Sequence, residues 1–489
     1  MKNYYHYIFA FVLTIGLLHA CSERDESTPV SKGQADFSTY VALGNSLTSG
    51  YADNALYREG QETSFANLLA KQLETVGGGE FKQPLVESGS VGVGIERNAR
   101  LVLGINDGEL SPVPAADQGD LSIFQNSVAA DGPFNNMGVP GATVITTVFN
   151  GYGNPANGEG NFNPFFTRMT TNPAEASMLE DAVAQDPTFF TLFIGNNDVL
   201  GYATSGGRQP ITPVDGGVGQ GFSATYDAII GALTANEAKG ALANIPDVTS
   251  TPFFTYIPWN VLELEEEQAA QLNGGIDQIL GGMGMDRESA AAIGILLPEF
   301  KGGGNGVLVK DDDLANLLGL RQLKEGELVL LNAQGELQKM SANLGNANQI
   351  FEEIGAALAT LDLDAVREAA QKLAVPAHSV LFEEEVKNIK ETTEAYNQKI
   401  KSTADAAGLA FVDVNGFLKR MGETGVLVNG RQITTEFVTG GAFSLDGIHL
   451  APMGNVLLAN EFIEAINKKY DAFIPKVDAN EYGGILFPN

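Results

Sequence analysis

Thr39-Tyr-Val-Ala-Leu-Gly-Asn-Ser-Leu-Thr-Ser-Gly50 is the stretch that decides the fold. Its first half, Thr39 to Gly44, is a short β-prone apolar run that ends in glycine, and it reads as a buried strand. Its second half is a polar turn that carries Ser46. A serine just past a strand, on a glycine-permitted turn into a helix, has an exposed hydroxyl near backbone N–H donors. Taken alone, a Gly-Asn-Ser turn also occurs for purely local reasons. It is not the Gly-x-Ser-x-Gly nucleophile elbow, because position 48 is threonine.

Outward from this stretch, strands alternate with amphipathic helices. Phe65, Leu68, Leu69, Leu73 and Val76 share one face at helical spacing, which predicts a helix over Thr63–Val76 stopped by Gly77-Gly-Gly79. Arg100–Leu110 holds Asn106-Asp-Gly108 between apolar segments and predicts a hairpin. Thr188–Gly195 and Ala241–Ile245 read as strands, with a helix around Tyr226, Ile229, Ile230 and Leu233 between the two. Near the end, Val386–Ala407 reads as a helix, Leu409–Val414 as a strand and Pro452–Tyr470 as a helix. This alternation predicts an α/β fold with a parallel central sheet covered on both faces. Between roughly Leu262 and Val375 the pattern becomes rich in Gly, Ala, Leu and acidic residues, and is expected to form a large insertion, a cap or small subdomain. Within it, Leu328–Gln338 reads as a hairpin around Asn332-Ala-Gln-Gly335.

Composition narrows the function classes. The 489 residues include 60 Asp plus Glu against 29 Lys plus Arg, a net charge of −31. Such a chain repels polyphosphate, so nucleic acid and anionic membrane surfaces are poor candidate partners. One cysteine rules out an intramolecular disulfide scaffold. At the amino terminus, Lys2, the apolar run Tyr7–Leu18 and His19-Ala20-Cys21 match an export signal, and the apolar run is shorter than the ~20 residues a membrane span needs. Residues 1–20 are therefore expected to be a signal peptide and 21–37 a tether. Once that leader is removed, only His378 and His449 remain for histidine chemistry.

His449 closes Asp446-Gly-Ile-His449, just before the predicted final helix. A serine nucleophile needs a base, and the imidazole needs a carboxylate to fix its tautomer. An Asp three residues before a His on a tight turn can meet Nδ1 and leave Nε2 for the serine, although Asp446 alone could equally be a turn or cap residue. His378, in Pro376-Ala-His-Ser379, reads as a loop or packing residue. Gly195-Asn-Asn-Asp198 lies at the end of the strongest strand, where a side-chain amide can donate to a developing oxyanion. Asn135–Ala142 supplies a glycine turn that a substrate can approach closely. Each block is weak alone, since asparagine and glycine fill turns for local reasons.

Their order along the chain resembles the SGNH or GDSL hydrolase family, over about Thr39 to Tyr470 apart from the insertion. The resemblance implies a three-layer, flavodoxin-like fold whose hydrolase domain is 38–261 plus 376–475, with 262–375 inserted. It implies Ser46 as nucleophile, His449 as base and then acid, Asp446 as its orienting carboxylate, and an oxyanion hole from the Ser46 N–H, the Gly141 N–H and the Asn197 side chain. Ala241-Leu-Ala-Asn-Ile-Pro-Asp-Val248 is similar to a segment of lipase-like members. Asn45 departs from the family, standing where the name-giving motif has aspartate. The activity implied is hydrolysis of a lipid or small-molecule ester, lipase-like or acyl esterase, with carbohydrate deacetylation and a catalytically silent binding lipoprotein as alternatives. Cys21 after Leu18-His-Ala20 resembles a bacterial lipobox, which implies lipidation at Cys21 and a cell-envelope location, outer membrane or cell surface. A plain secretory signal with an incidental cysteine is the alternative. No metal and no cofactor is expected. Two histidines do not make a zinc site, Asp311-Asp-Asp313 reads as a solvated helix start rather than a calcium site, and Gly92-Val-Gly94 lacks a nucleotide-binding context.

Overall fold

A computed structural model describes residues 29–106, 109–311 and 317–483. The expected leader, Cys21, the Asp107-Gly108 turn and Asp312-Asp313 lie outside the described residues.

Five short parallel strands form the centre: β1 (Tyr40–Gly44), β2 (Asn136–Gly138), β3 (Phe189–Phe193), β4 (Lys239–Ala243) and β5 (Ala410–Val412). Their spatial order is β5-β4-β3-β1-β2, with Leu43 facing Met137 on one side and Leu192 on the other. Every residue of β1, β2 and β3 is buried, as expected for parallel strands covered on both faces. Side-chain alternation sorts them into two cores. Val41, Leu43, Phe190, Leu192 and Leu242 pack toward the helices Phe222–Leu233 and Glu383–Ala407. Tyr40, Ala42, Phe189, Phe193 and Ala241 pack toward the helices Phe65–Glu74 and Pro452–Tyr470. The alternating pattern of strands and helices expected from the sequence is thus present, with helices on both faces of the sheet.

The strand order reverses direction between β1 and β3. In open α/β sheets the crevice beyond the carboxyl ends of strands flanking such a reversal is where ligands bind. The chain turns sharply there: a Cβ on Gly44 would lie 2.6 Å from the Phe193 carbonyl oxygen, so only glycine lets the two strand ends approach.

Residues from Ile257 to Val380 gather round a third core of their own, in which the helices Glu266–Gly282, Ala347–Ala359 and Leu363–Ala370 pack against two short antiparallel strands, Leu308–Lys310 and Leu320–Gln322. The expected hairpin at Leu328–Gln338 is not formed. Leu328–Val329 instead pairs antiparallel with Val380–Leu381, closing the neck of this region, and Gln334–Leu344 is a helix. Leu337, Met340 and Leu344 recur at helical spacing after Gly335, and all three join the third core, which outweighs the turn signal of Asn332-Ala-Gln-Gly335. The hairpin near residue 100 is present and longer than expected, pairing Leu101–Asn106 with Glu109–Pro114. The expected tether is also shorter. Ser31 exchanges backbone hydrogen bonds with Phe473, and Phe37 is fully buried, so these residues belong to the packed body.

Candidate active site

Asn45 and Ser46 follow directly from β1. The Asn45 side-chain oxygen accepts the Leu47 N–H at 3.1 Å and caps the short helix Ser46–Ser49, so Ser46 occupies its first position. The Asn45 amide also donates to the Asn196 Oδ1 at 3.2 Å, tying the end of β1 to the end of β3. Asparagine is suited to this place because one end of its side chain accepts while the other donates.

The loop before the last helix supplies the partners. Ser444 N–H donates to the His449 carbonyl, and Gly447 takes a left-handed φ of +71° where its carbonyl accepts the Phe253 N–H. This turn folds Asp446 back onto His449. Asp446 Oδ1 accepts the Ile448 and His449 backbone N–H groups at 2.9 and 2.8 Å. Its Oδ2 lies 2.9 Å from His449 Nδ1 and accepts the Asn54 N–H at 2.9 Å. A carboxylate receives hydrogen bonds, so Nδ1 carries the proton and Nε2 is left as the acceptor. Nε2 lies 2.8 Å from Ser46 Oγ, in position to take the hydroxyl proton. Burial pushes the Asp446 carboxyl up, but His449 and the backbone N–H donors outweigh it and hold the group well below the ordinary carboxylate range. Ser46, Asp446 and His449 are 5, 9 and 8% exposed, so solvent competes little for these bonds.

The remaining expected site residues divide. Asn197 lines the same slot as Ser46 and His449, and its amide donates to the Ala142 carbonyl at 2.8 Å, leaving the second amide hydrogen for a ligand. Gly141 sits one residue before Ala142, in a left-handed turn, and its N–H has no hydrogen-bond partner among the described residues. His378 is remote from this cluster and lies 3.1 Å from an Arg208 nitrogen. No group of three or more His, Cys, Asp or Glu side chains suited to a metal ion occurs among the described residues.

Sequence reasoning missed several supports. Asp53 and Asn54 both have positive φ, +52° and +62°. Asp53 N–H donates to Ser444 Oγ, and Asp53 Oδ1 accepts the Leu445 N–H, so the two residues clamp the Asp446 loop. Asx residues tolerate this backbone region, which is the only local hint of the clamp. Asp198, quoted above only as part of a motif, is buried and accepts the Val144 N–H at 2.9 Å, and burial pushes its carboxyl up to about 7. The Tyr51 ring packs 4.8 Å from the His449 ring.

Two cavities meet at His449. A narrow slot of about 40 Å³ reaches Ser46, His449 and Asn197, walled by Leu200, Val248 and Phe417. A wider cleft of about 270 Å³ opens on the other side of His449. A larger cavity, of about 1320 Å³, lies among the insertion helices and includes none of these residues.

Comparison of the chain with protein-family models, with curated proteins and with solved structures found no match. Among the described residues no helix is long and apolar enough to cross a membrane.

Proposed function

We propose that this protein is a serine ester hydrolase of the SGNH type. The observation that carries the reading is the continuous chain from Ser46 Oγ to His449 Nε2 at 2.8 Å and from His449 Nδ1 to Asp446 Oδ2 at 2.9 Å. The strand order, with two strands to one side of β3 and two to the other, supports the flavodoxin-like doubly wound arrangement that the family resemblance implies.

In this reading Ser46 Oγ attacks the ester carbonyl carbon as Nε2 takes its proton. The carbonyl oxygen gains the negative charge, facing the Ser46 and Gly141 N–H groups and the free amide hydrogen of Asn197. The tetrahedral adduct expels the alcohol, protonated by the His449 imidazolium, and leaves an acyl group on Ser46. Water then gives a proton to Nε2, attacks the acyl carbon and releases the acid, and Ser46 Oγ recovers its proton from the imidazolium. Asp446 stays ionised throughout and stabilises the imidazolium.

The narrow apolar slot beside Ser46 favours a short acyl chain: about 40 Å³ is room for only a few water-sized groups. The expected lipid anchor at Cys21 belongs to the same proposal and places the enzyme at the cell envelope. The test is peptide mapping of the chain after reaction with a fluorophosphonate. A single adduct on Ser46, absent from Ser46→Ala and much reduced in His449→Ala, is the expected result. Absence of an adduct from the native chain overturns the assignment.

A further inference from the structure

Ser49, the last residue of the short helix that Ser46 opens, lines a small cavity of about 10 Å³ that includes none of Ser46, Asp446, His449 or Asn197. Gln61, Pro84, Asn136, Pro140 and Arg168 form other parts of its wall. Every residue that lines it is buried, so the space is internal. A charge stands in that wall: Arg168, on the helix Pro164–Met169, is only 5% exposed.

The partners of the Arg168 guanidinium are two neutral carbonyl oxygens. Nη1 donates to Pro84 at 2.7 Å and Nη2 to Leu85 at 3.2 Å. A guanidinium has five N–H groups to place, and Nε is buried with no partner among the described residues. The chain carries 60 Asp and Glu, yet none of those described lines the cavity. Burial pushes the guanidinium down from 12.5 to about 10, and no acidic group acts against it. A buried cation that meets only neutral carbonyls keeps most of the cost of its lost water.

The neutral groups around it are already engaged. Gln61 accepts the Val86 N–H at 2.7 Å and donates to the Pro84 carbonyl at 2.9 Å. Asn136 Oδ1 accepts the Gly138 N–H, while its nitrogen donates to the Thr48 carbonyl and to Gln83 Oε1. Ser49 Oγ donates to the Ser46 carbonyl at 2.9 Å, and the Pro140 carbonyl accepts from Asn163 at 2.8 Å. What is left over is a positive charge and a donor beside an internal space. A space of that size holds one water-sized guest and excludes a polyatomic anion such as phosphate. Water there would accept a proton but leave the charge unbalanced, whereas a monatomic anion answers both needs.

We infer that this cavity is a halide site, which takes one chloride or bromide ion on Arg168. The inference does not rest on the triad reading, since it uses neither Ser46 nor His449. Its position still matters for the site described above. The ion touches the end of the Ser46–Ser49 helix at Ser49 and the loop to Gly141 at Pro140, so it braces both elements at once.

Two measurements on the full chain test it. Crystals grown in sodium bromide are expected to show an anomalous-scattering peak about 3.3 Å from Arg168 Nε, a charge-assisted contact widened by the size of the ion. Thermal melts at constant ionic strength, with bromide replacing gluconate, are expected to rise by about 3 °C over a hundredfold range of bromide ending near about 0.1 M. Arg168→Gln keeps a donor for the Pro84 carbonyl but carries no charge, and is expected to lose the bromide dependence. Density in the cavity without anomalous signal identifies a water and overturns the site. A bromide peak with a flat melt also overturns it, as uptake at crystal concentration only, and so does a bromide-dependent melt that survives in Arg168→Gln. If Arg168→Gln does not fold, the peak and the melt of the native chain decide between these outcomes. Fluorophosphonate labelling in gluconate and in bromide keeps the two proposals apart: no Ser46 adduct in either salt removes the triad reading and leaves the halide site standing.

Discussion

At the residue scale, the site depends on a carboxylate with every strong acceptor position filled. Asp446 receives the His449 ring N–H and three backbone N–H groups, one of them from Asn54, 392 positions away in sequence. Removing Ser46 or His449 is expected to cost about 10³- to 10⁶-fold in kcat, because the two act as one unit. Asn197→Ala is expected to cost about 10²- to 10³-fold in kcat with little change in KM, since its free amide hydrogen has its full effect only as the oxyanion forms. Steady-state kinetics on a short-chain ester check both. The Asn54 position separates backbone from side chain. Its φ of +62° suits glycine, so Asn54→Gly is expected to keep the N–H on Asp446 and most of the activity. Asn54→Val forces a β-branched residue into the left-handed region, at a cost of about 1–3 kcal/mol, and is expected to lower both kcat and thermal stability. Equal behaviour of the two variants would show that the clamp does not depend on this backbone geometry.

At the scale of elements, the narrow slot beside Ser46 is bounded by the helix Val414–Thr424, which Asp413 caps by accepting the Gly416 N–H at 3.0 Å. Phe417 and Leu418 on this helix close the slot. Native turnover is therefore expected to fall steeply from butyrate to octanoate esters, and Leu418→Ala is expected to shift the optimum toward longer chains while losing about 2–4 kcal/mol of stability to the cavity it leaves. An acyl-chain profile with a urea melt of the same variant tests this. What was legible in the sequence follows the same physics. β1 and β3 are near-continuous apolar runs, β1 ending in Gly44 and β3 followed closely by Gly195, and their burial on both faces made them readable from local composition. The Ser46, Asn197 and Asp446–His449 turns were readable because each couples a chemically specific side chain to a strand or helix end. The pairing of Leu328–Val329 with Val380–Leu381 spans some fifty residues and left no local mark, so a turn-like Asn332-Ala-Gln-Gly335 misled the reading. The Asp53–Asn54 clamp and the two cavities share this character, since contacts between distant segments make them.

At the scale of the whole molecule, pH acts on stability through opposed groups. The excess of 60 acidic over 29 basic side chains means that mild acid relieves general repulsion. Asp198 adds a local component of the same sign. Its native carboxyl is pushed up to about 7 from 3.8, so between those values the folded chain holds a proton that the unfolded chain has lost. Stability attributable to Asp198 therefore falls as pH rises through that window, by up to about 4 kcal/mol in total. Asp446 works in the other direction. Its lowered native value gives stability that is present above the ordinary carboxylate range and lost as pH falls below it. The native chain is thus expected to be more resistant to urea near pH 5 than near pH 7, and to lose that advantage in stronger acid. Asp198→Asn isolates the local part. The amide keeps an oxygen for the Val144 N–H at nearly the same place but carries no titratable proton, while the rest of the acidic surface is unchanged. Urea midpoints at the two pH values should lie closer together in Asp198→Asn than in the native chain, with the variant gaining most near pH 7. If both chains show the same difference, the slope comes from the surface charge, and the burial of Asp198 has no part in it.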